Sequence, residues 1–329
     1  MQRVLIITGP AGDAQGWGDL SVTETLCETL NSGGKSAEIR FVETLADFRR
    51  AIEQSTFDIV WSALYHISPQ ADIIGLNADE DAWLADILDR RQIPYIGPSA
   101  LTMKQLINKT WTHEILDKAG VAVPSHCQVD MGARPPDIDF PAFVKPSGES
   151  RSIGISDASV VHTPEELARQ VAHIHARFEQ PALVEDYLPG QEYTVLMLAN
   201  GPGQEFLSGV VSVDAAHYGK YPILRADMRG VGITKIAVPQ TRVAEAVLLG
   251  RRAVTTLNCL DHVRVDMRVD ARERLRIIEV NGIPGLKPVK SWSPQIYSLY
   301  HPAPQGAAAE YRQLVHRIVD SGLERYGLK

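Results

Sequence analysis

Cysteine is scarce in this chain, and its scarcity removes whole classes of protein. Cys27, Cys127 and Cys259 are the only three in 329 residues, far apart and with no C-x-x-C spacing. Neither a zinc ribbon nor a disulfide framework is available, and the expectation is three reduced thiols in a cytosolic protein. Long apolar runs are also missing. No stretch approaches the roughly 20 residues needed to span a bilayer. The apolar run within Met1-Gln2-Arg3-Val4-Leu5-Ile6-Ile7-Thr8 is too short for the core of a signal peptide. Positive charge is not in excess: 33 Lys and Arg stand against 40 Asp and Glu, a net charge of -7. A surface-wide attraction for nucleic acid or anionic membrane is thereby excluded, but a small basic pocket is not. Histidine supplies no metal motif either. No H-E-x-x-H occurs, and His173 and His175, two apart on a helical stretch, point to different faces. What remains is ordinary: 44% hydrophobic and 22% charged residues support a buried core, in two or three domains. The expected protein is a soluble cytoplasmic enzyme.

The first hundred residues alternate strand and helix. Residues 4–8 read as a buried strand, followed by a glycine-rich loop over 9–18. A helix then starts at a capping box with Ser21 as N-cap and Glu24 three residues on, and Asn31-Ser32-Gly33-Gly34 stops it. A strand over 37–42, a helix boxed by Thr44 and Asp47, and a strand over 57–64 follow. This pattern predicts a parallel, doubly wound α/β domain ending near Gly97-Pro98. The turn Gly9-Pro10-Ala11-Gly12 lacks the G-x-G-x-x-G spacing, and Pro10 removes a backbone donor, so a nicotinamide dinucleotide is not expected there.

From Ser99 the pattern becomes mixed α/β. One helix is expected over 101–119 and a strand over 142–144. Thr163-Pro164-Glu165-Glu166 opens a helix, with Thr163 as N-cap and proline at N1. Strands are expected over 182–187, 193–198, 206–213, 262–269 and 275–280, and a helix over 241–257.

Three segments carry chemistry. In Val144-Lys145-Pro146-Ser147-Gly148-Glu149-Ser150-Arg151-Ser152-Ile153-Gly154 a strand delivers a lysine and a loop of small residues exposes backbone N–H groups. Those are donors and a point charge for a polyphosphate, although no Walker loop is present. In Arg264-Val265-Asp266 and Ile278-Glu279-Val280-Asn281, two neighbouring strands turn Asp266, Glu279 and Asn281 to one face, with Ile278 and Val280 packed behind. Two carboxylates and an amide oxygen suit hard Mg²⁺. The connector from Glu185 through Leu188-Pro189-Gly190 to Glu192 offers backbone groups to an adenine edge and a carboxylate to ribose.

In this order and spacing the segments resemble the ATP-grasp superfamily, specifically the D-alanine–D-alanine ligase family. Ile93-Pro94-Tyr95-Ile96-Gly97, Asn108-Lys109 and Pro284-Gly285 extend the resemblance over nearly the whole chain. It implies an N-terminal α/β domain (1–98) before a two-part ATP-grasp fold, a central subdomain (99–184) and a C-terminal one (185–329) that sandwich ATP. It implies that Lys109 and Lys145 hold phosphates and that Ser150 and Ser152 lie in a loop closing over them. Glu185 and Leu188 would then meet adenine and Glu192 ribose. Asp266, Glu279 and Asn281 would bind two Mg²⁺, with Mn²⁺ as a substitute, and Arg264 would stabilise the transferring phosphoryl group. The glycine-bearing stretch from Ala215 to Gly232 resembles the family's substrate-covering loop, with Lys220-Tyr221 as its lysine–tyrosine pair. The implied reaction joins a carboxylate donor to an amine acceptor through an acyl phosphate, releasing ADP and phosphate, in a homodimer.

The substrate half departs from the family pattern. Trp17 stands where a glutamate binds the first substrate's amine, with Asp19 the nearest acid, while Ser21 is retained. Leu64-Tyr65-His66 replaces Leu-His-Gly, which leaves His66 as the candidate histidine. Arg151 replaces the first serine of a pair. After Gly285-Leu286 the chain reads Lys287-Pro288-Val289-Lys290-Ser291-Trp292, so Lys290 or Ser291 is expected to grip a substrate carboxylate. These changes predict a substrate pair other than two D-alanines. A divergent D-alanine–D-alanine ligase and a non-catalytic ATP-binding protein stay open as alternatives.

Overall fold

The computed structural model describes residues 1–68, 74, 76, 80–228 and 233–329. Three sheets organise them. In the first, β1 (Arg3–Thr8), β2 (Ser36–Phe41), β3 (Ile59–Ser62) and β4 (Tyr95–Ile96) run parallel in the order β2-β1-β3-β4. Central β1 is apolar from Val4 to Ile7 because helices cover both faces of it. Val4 and Ile6 pack with Leu26 and Leu30 of α2 (Leu20–Ser32), and Leu5 and Ile7 with Phe48 of α3 (Leu45–Gln54) and Leu88 of α4 (Leu84–Arg90). A short helix, α1 (Gly12–Gln15), interrupts the loop after β1.

Helices α5 (Ala100–Ile107) and α6 (Lys109–Lys118) lead to the second sheet, which is antiparallel. Its strands β5 (His126–Val129), β6 (Ala142–Pro146), β7 (Val160–Val161) and β8 (Ala182–Asp186) lie in the order β5-β8-β6-β7. The apolar stripe Leu167, Val171, Ile174 and Phe178 of α7 (Pro164–Phe178) covers it. The third sheet, β11-β10-β9-β12-β13, is also antiparallel, built from β9 (Glu192–Leu198), β10 (Glu205–Val213), β11 (Thr234–Ala237), β12 (His262–Val269) and β13 (Leu275–Asn281). Period-two alternation divides its faces. Val195 and Met197 meet α8 (Val243–Thr256), whereas Leu196 and Leu198 share a cluster with α9 (Trp292–Tyr300) and with α10 (Ala307–Arg325), which returns to cover the first sheet. Among the described residues no helix is long and apolar enough to cross a membrane.

The start signals at Thr44 and Thr163 are realised: Thr44 and Asp47 form a reciprocal capping box, and Thr163 accepts from the Glu166 N–H. Ser21 is not a cap. Asp19 takes that position, accepting from the Val22 N–H, while Ser21 lies inside α2 and donates its hydroxyl to Asp19. A carboxylate two residues upstream is the better acceptor for exposed helix N–H groups at a positive dipole end. The expected 101–119 helix is two helices, broken at Asn108, whose side chain caps α6 through the Trp111 N–H. The break is tertiary in origin, because the Lys109 N–H leaves the helix to donate to Ser147 O at 3.0 Å.

One buried side chain ties the sheets together. Asp261 is fully buried and accepts from the Gly97 N–H (2.8 Å), Asn200 Nδ2 (2.6 Å), Ser321 Oγ (2.8 Å) and Arg325 Nη2 (2.9 Å). It thus joins the end of the first sheet, the third sheet and α10. Removing one partner from such a network leaves the others desolvated and unpaired. Asp261→Ala is expected to cost about 3 to 5 kcal/mol in urea-induced unfolding; a loss below about 1 kcal/mol would contradict this role.

Candidate active site

Strands β12 and β13 supply the most charged wall. Their register sets Arg264 opposite Asn281 and Asp266 opposite Glu279, so all four side chains share one face. The alternation does not hold along the whole of β13. The register skips Ile278, a bulge that puts Ile277 in the core beside Met267 and Val280 while Ile278 lines the cleft. The expectation that Ile278 packs behind the sheet is therefore corrected. Its carbonyl lies 3.3 Å from Lys145 Nζ and accepts a hydrogen bond.

Each acid on this wall is neutralised by a cation. Arg264 makes a bidentate pair with Asp266, at 2.8 Å from Nε and 2.7 Å from Nη2. Asp266 also accepts from Thr194 Oγ1 (2.7 Å) and Asn281 Nδ2 (3.1 Å). Lys109 Nζ lies 3.0 Å from Glu279 Oε1. Lys145 Nζ lies 2.7 Å from Glu185 Oε1. Burial pulls the Arg264 guanidinium down, but the charge and hydrogen bonds of Asp266 outweigh it and raise its pKa. Burial pushes the Glu185 carboxyl up against the opposing pull of Lys145. Behind Glu185, burial and the Lys145 charge keep His113 neutral. Arg264 also stacks on the Trp292 ring, 4.8 Å from its centroid.

The cleft has two ends that share Lys109, Glu149, Ser150 and Glu279. The narrower end, about 80 Å³, is walled by Phe143, Ile153, Leu188, Leu224 and Ile278, with Lys145, Ser152, Glu185, Glu192 and Asp266 at its rim. Glu185 Oε2 is buried there without a hydrogen-bond partner among the described residues. Apolar walls, an open carboxylate acceptor and two lysines fit a flat base joined to phosphates. Asp266, Glu279 and Asn281 form an oxygen donor set that fits a hard divalent cation.

The loop between β6 and β7 closes the junction. Gly148 admits no side chain, since a Cβ there would lie 2.7 Å from Leu76 Cγ and 2.9 Å from Gln180 Oε1. Its neighbour Glu149 accepts from Gln180 Nε2 (2.7 Å) and the Ile74 N–H (3.1 Å). Arg151 and Ser152 follow in left-handed backbone at φ 56° and 59°. Arg151 reaches α1, pairing with Asp13 Oδ2 at 2.5 Å and donating to Asp13 O at 2.8 Å.

The wider end, about 300 Å³, lies among α1, the Pro284-Gly285 turn and the start of α9. Gly285, Lys290 and Ser291 line it as expected from their position, and Ser291 Oγ accepts from the Lys287 N–H at 3.0 Å. Asp19 lines it too, but is paired with Lys287 at 3.2 Å. Three expectations are corrected here, for Ser21, His66 and the Lys220–Tyr221 pair, whereas Trp17 keeps a place at the cleft. Trp17 borders the cleft, yet its ring packs on Trp61 in the core and its indole N–H donates to Thr23 Oγ1 at 3.1 Å. Ser21 is exposed and turned to Asp19. His66 is buried against Trp83, and Tyr65 lines the cleft in its stead, its hydroxyl accepting from the Ile283 N–H at 3.1 Å. Lys220 and Tyr221 turn instead to residues flanking β7: Tyr221 Oη lies 2.7 Å from His162 Nε2, and the Lys220 N–H donates to Asp157 Oδ2 at 2.9 Å. Gly230 and Gly232 of the same stretch lie outside the described residues.

Sequence reasoning also misses Gln15, Tyr65 and Glu149, all of which line the cleft. Tyr65 carried a signal as the middle residue of the altered Leu-Tyr-His triplet and Glu149 as a member of the loop after Lys145, whereas Gln15 carried none.

Comparison with known proteins accords with this architecture. The solved D-alanine–D-alanine ligase of Bacillus anthracis superposes with a TM-score of 0.69, covering 99% of both chains at 19% identity. Its complex with ATP gives the same score over 99% of this chain and 98% of that one. The D-alanine–D-alanine ligase of Desulforudis audaxviator is 28% identical over 312 residues, 91% of this chain and 92% of its own. An uncharacterized protein of Sinorhizobium fredii, y4sG, is 28% identical over 249 residues, 73% of this chain and 69% of its own. The family model described as D-ala D-ala ligase C-terminus matches residues 128–320, and the chain belongs to that ATP-grasp ligase family.

Proposed function

We propose that this chain is an ATP- and Mg²⁺-dependent ligase that joins a carboxylate donor to an amine acceptor other than the pair of two D-alanines. As an ATP-grasp ligase it forms carbon–nitrogen bonds. The observation that carries the proposal is the set of three cation–acid pairs along one cleft, Arg264–Asp266 and Lys145–Glu185 buried and Lys109–Glu279 partly so. Lys109, Lys145 and Arg264 would hold the phosphate oxygens of a bound nucleotide, and Asp266, Glu279 and Asn281 would hold its cation. Bound Mg²⁺ supplies neutralisation of phosphate charge.

The remaining work falls to the chain. The donor carboxylate takes the γ-phosphoryl group, with ADP leaving. The amine then attacks the acyl-phosphate carbonyl and loses a proton, and phosphate departs. Arg264, held flat by Trp292, is placed to meet the developing negative charge. The Arg151–Asp13 bridge draws the loop over the junction, which favours exclusion of water from a hydrolysable intermediate. Lys290 at the wide end, without an ion-pair partner among the described residues, supports a substrate pair more anionic than two D-alanines. Retention of Arg264 speaks against a binding-only protein. We further propose units at 1–98, 99–184 and 185–329, a homodimer, and a place in the reducing cytoplasm that suits three free cysteines.

Phosphate release with ATP, Mg²⁺ and panels of acids and amines tests the reading. Lys145→Ala and Glu279→Gln are each expected to lower the rate by about a hundredfold or more, with folding followed by circular dichroism; wild-type rates would sink the assignment. Chelation by EDTA should stop release, and Mg²⁺ or Mn²⁺ should restore it. The Arg151–Asp13 pair is 44% and 50% exposed, so Arg151→Ala should change unfolding stability by no more than about 1 kcal/mol. The same variant should raise the ratio of phosphate released to amide formed, read by mass spectrometry.

A further inference from the structure

We propose that the Gln15 side-chain amide is a specificity-determining donor of the cleft. The acid that binds beside it carries a hydrogen-bond acceptor, a hydroxyl or carboxylate oxygen, where an α-amino acid carries its ammonium group. This deepens the ligase reading and rests on it.

Gln15 closes α1, lines the wide end of the cleft and is 3% exposed. Its Oε1 accepts from two backbone donors, the Tyr65 N–H at 2.9 Å and the His66 N–H at 3.2 Å. These two contacts fix the amide orientation, because a flipped side chain would set its NH₂ against both N–H groups. Nε2 is therefore the remaining polar atom, and it is buried with no hydrogen-bond partner among the described residues. A buried amide donor without an acceptor is a group awaiting a ligand atom.

The charges around it point the same way. Each carboxylate lining this end is committed: Asp13 to Arg151, Asp19 to Lys287, Glu279 to Lys109, and Glu149 to Gln180 and the Ile74 N–H. Lys290 lines the same space with no ion-pair partner among the described residues. Among the described residues donors are in surplus, and no free carboxylate is present to balance an ammonium group. A substrate ammonium would meet an N–H donor and cations; a hydroxyl or carboxylate oxygen would satisfy Nε2.

The test uses the full chain with ATP, Mg²⁺ and D-alanine as the fixed amine, and acids in matched sets. These are alanine with lactate, phenylalanine with phenyllactate, and glutamate with 2-hydroxyglutarate, with succinate as a dicarboxylate lacking either group. Phosphate release and product mass give kcat/KM. The hydroxy or dicarboxylate members are expected to exceed their amino counterparts by about tenfold or more. Gln15→Glu should reverse that ratio, and Gln15→Met should bring it near unity. A wild-type preference for the amino members, or a ratio unchanged in both variants, overturns the Gln15 assignment while leaving the ligase reading intact. Absence of acid-dependent phosphate release with every set overturns both. Should either variant fail to fold, the wild-type ratio alone decides.

Discussion

Buried charge must be paired, and that requirement governs the centre of this molecule. Arg264, Asp266, Lys109, Lys145 and Glu185 are each 7% exposed or less. Isolated, any one of them would face a desolvation penalty that the fold could not sustain. The pairing in turn demands geometry from distant parts of the chain. Lys109 reaches Glu279 because the helical run breaks at Asn108 and α6 restarts against Ser147. Lys145 reaches Glu185 because β6 and β8 are neighbours, and it touches the Ile278 carbonyl at the bulge in β13. The site's irregularities thus serve its electrostatics, not the regularity of the sheets.

The same pairs explain how a stable cleft can also be receptive. A buried pair is expensive to break but inexpensive to exchange, provided the incoming group brings both signs. A nucleotide polyphosphate with a divalent cation does so, offering anionic oxygens to the cations and a positive centre to the acids. The pairs that bridge the loops differ in kind. Arg151–Asp13 and Lys287–Asp19 are about half exposed, hence weak and screened by salt. Deep pairs hold the cleft's shape, and shallow ones are suited to opening and closing its mouth.

The legible parts of the sequence were those governed by local physics. Alternation brought Asp266, Glu279 and Asn281 to one face, and the caps at Thr44 and Thr163 followed from side-chain chemistry alone. The misreadings have tertiary causes or lie in competition between neighbours. Ser21 lost the cap to Asp19, a stronger acceptor two residues away. The break at Asn108 is invisible in the periodicity of 101–119, since it is made by a bond to Ser147. The bulge at Ile278 changes which side chain faces the cleft without altering the hydrophobic pattern. His66 and Tyr65 differ by one position, and only the packing of His66 on Trp83 decides between them. Strand β11 and helices α9 and α10 carried no decisive signal and went unread.

The two ends of the cleft differ in legibility for a chemical reason. A polyphosphate presents the same dense charge to every protein that binds it, so lysines, arginine and acids at set spacings suffice to mark its place. A small organic acid differs from its rivals by one polar group, and the protein reads that group with one atom. Gln15 has no motif around it; its meaning comes from two backbone N–H groups contributed from fifty residues away. They occupy the oxygen and leave the nitrogen uncommitted among the described residues. Specificity at this end is therefore set by which hydrogen-bonding atoms the fold leaves unsatisfied, a property that arises only once the chain has closed around them.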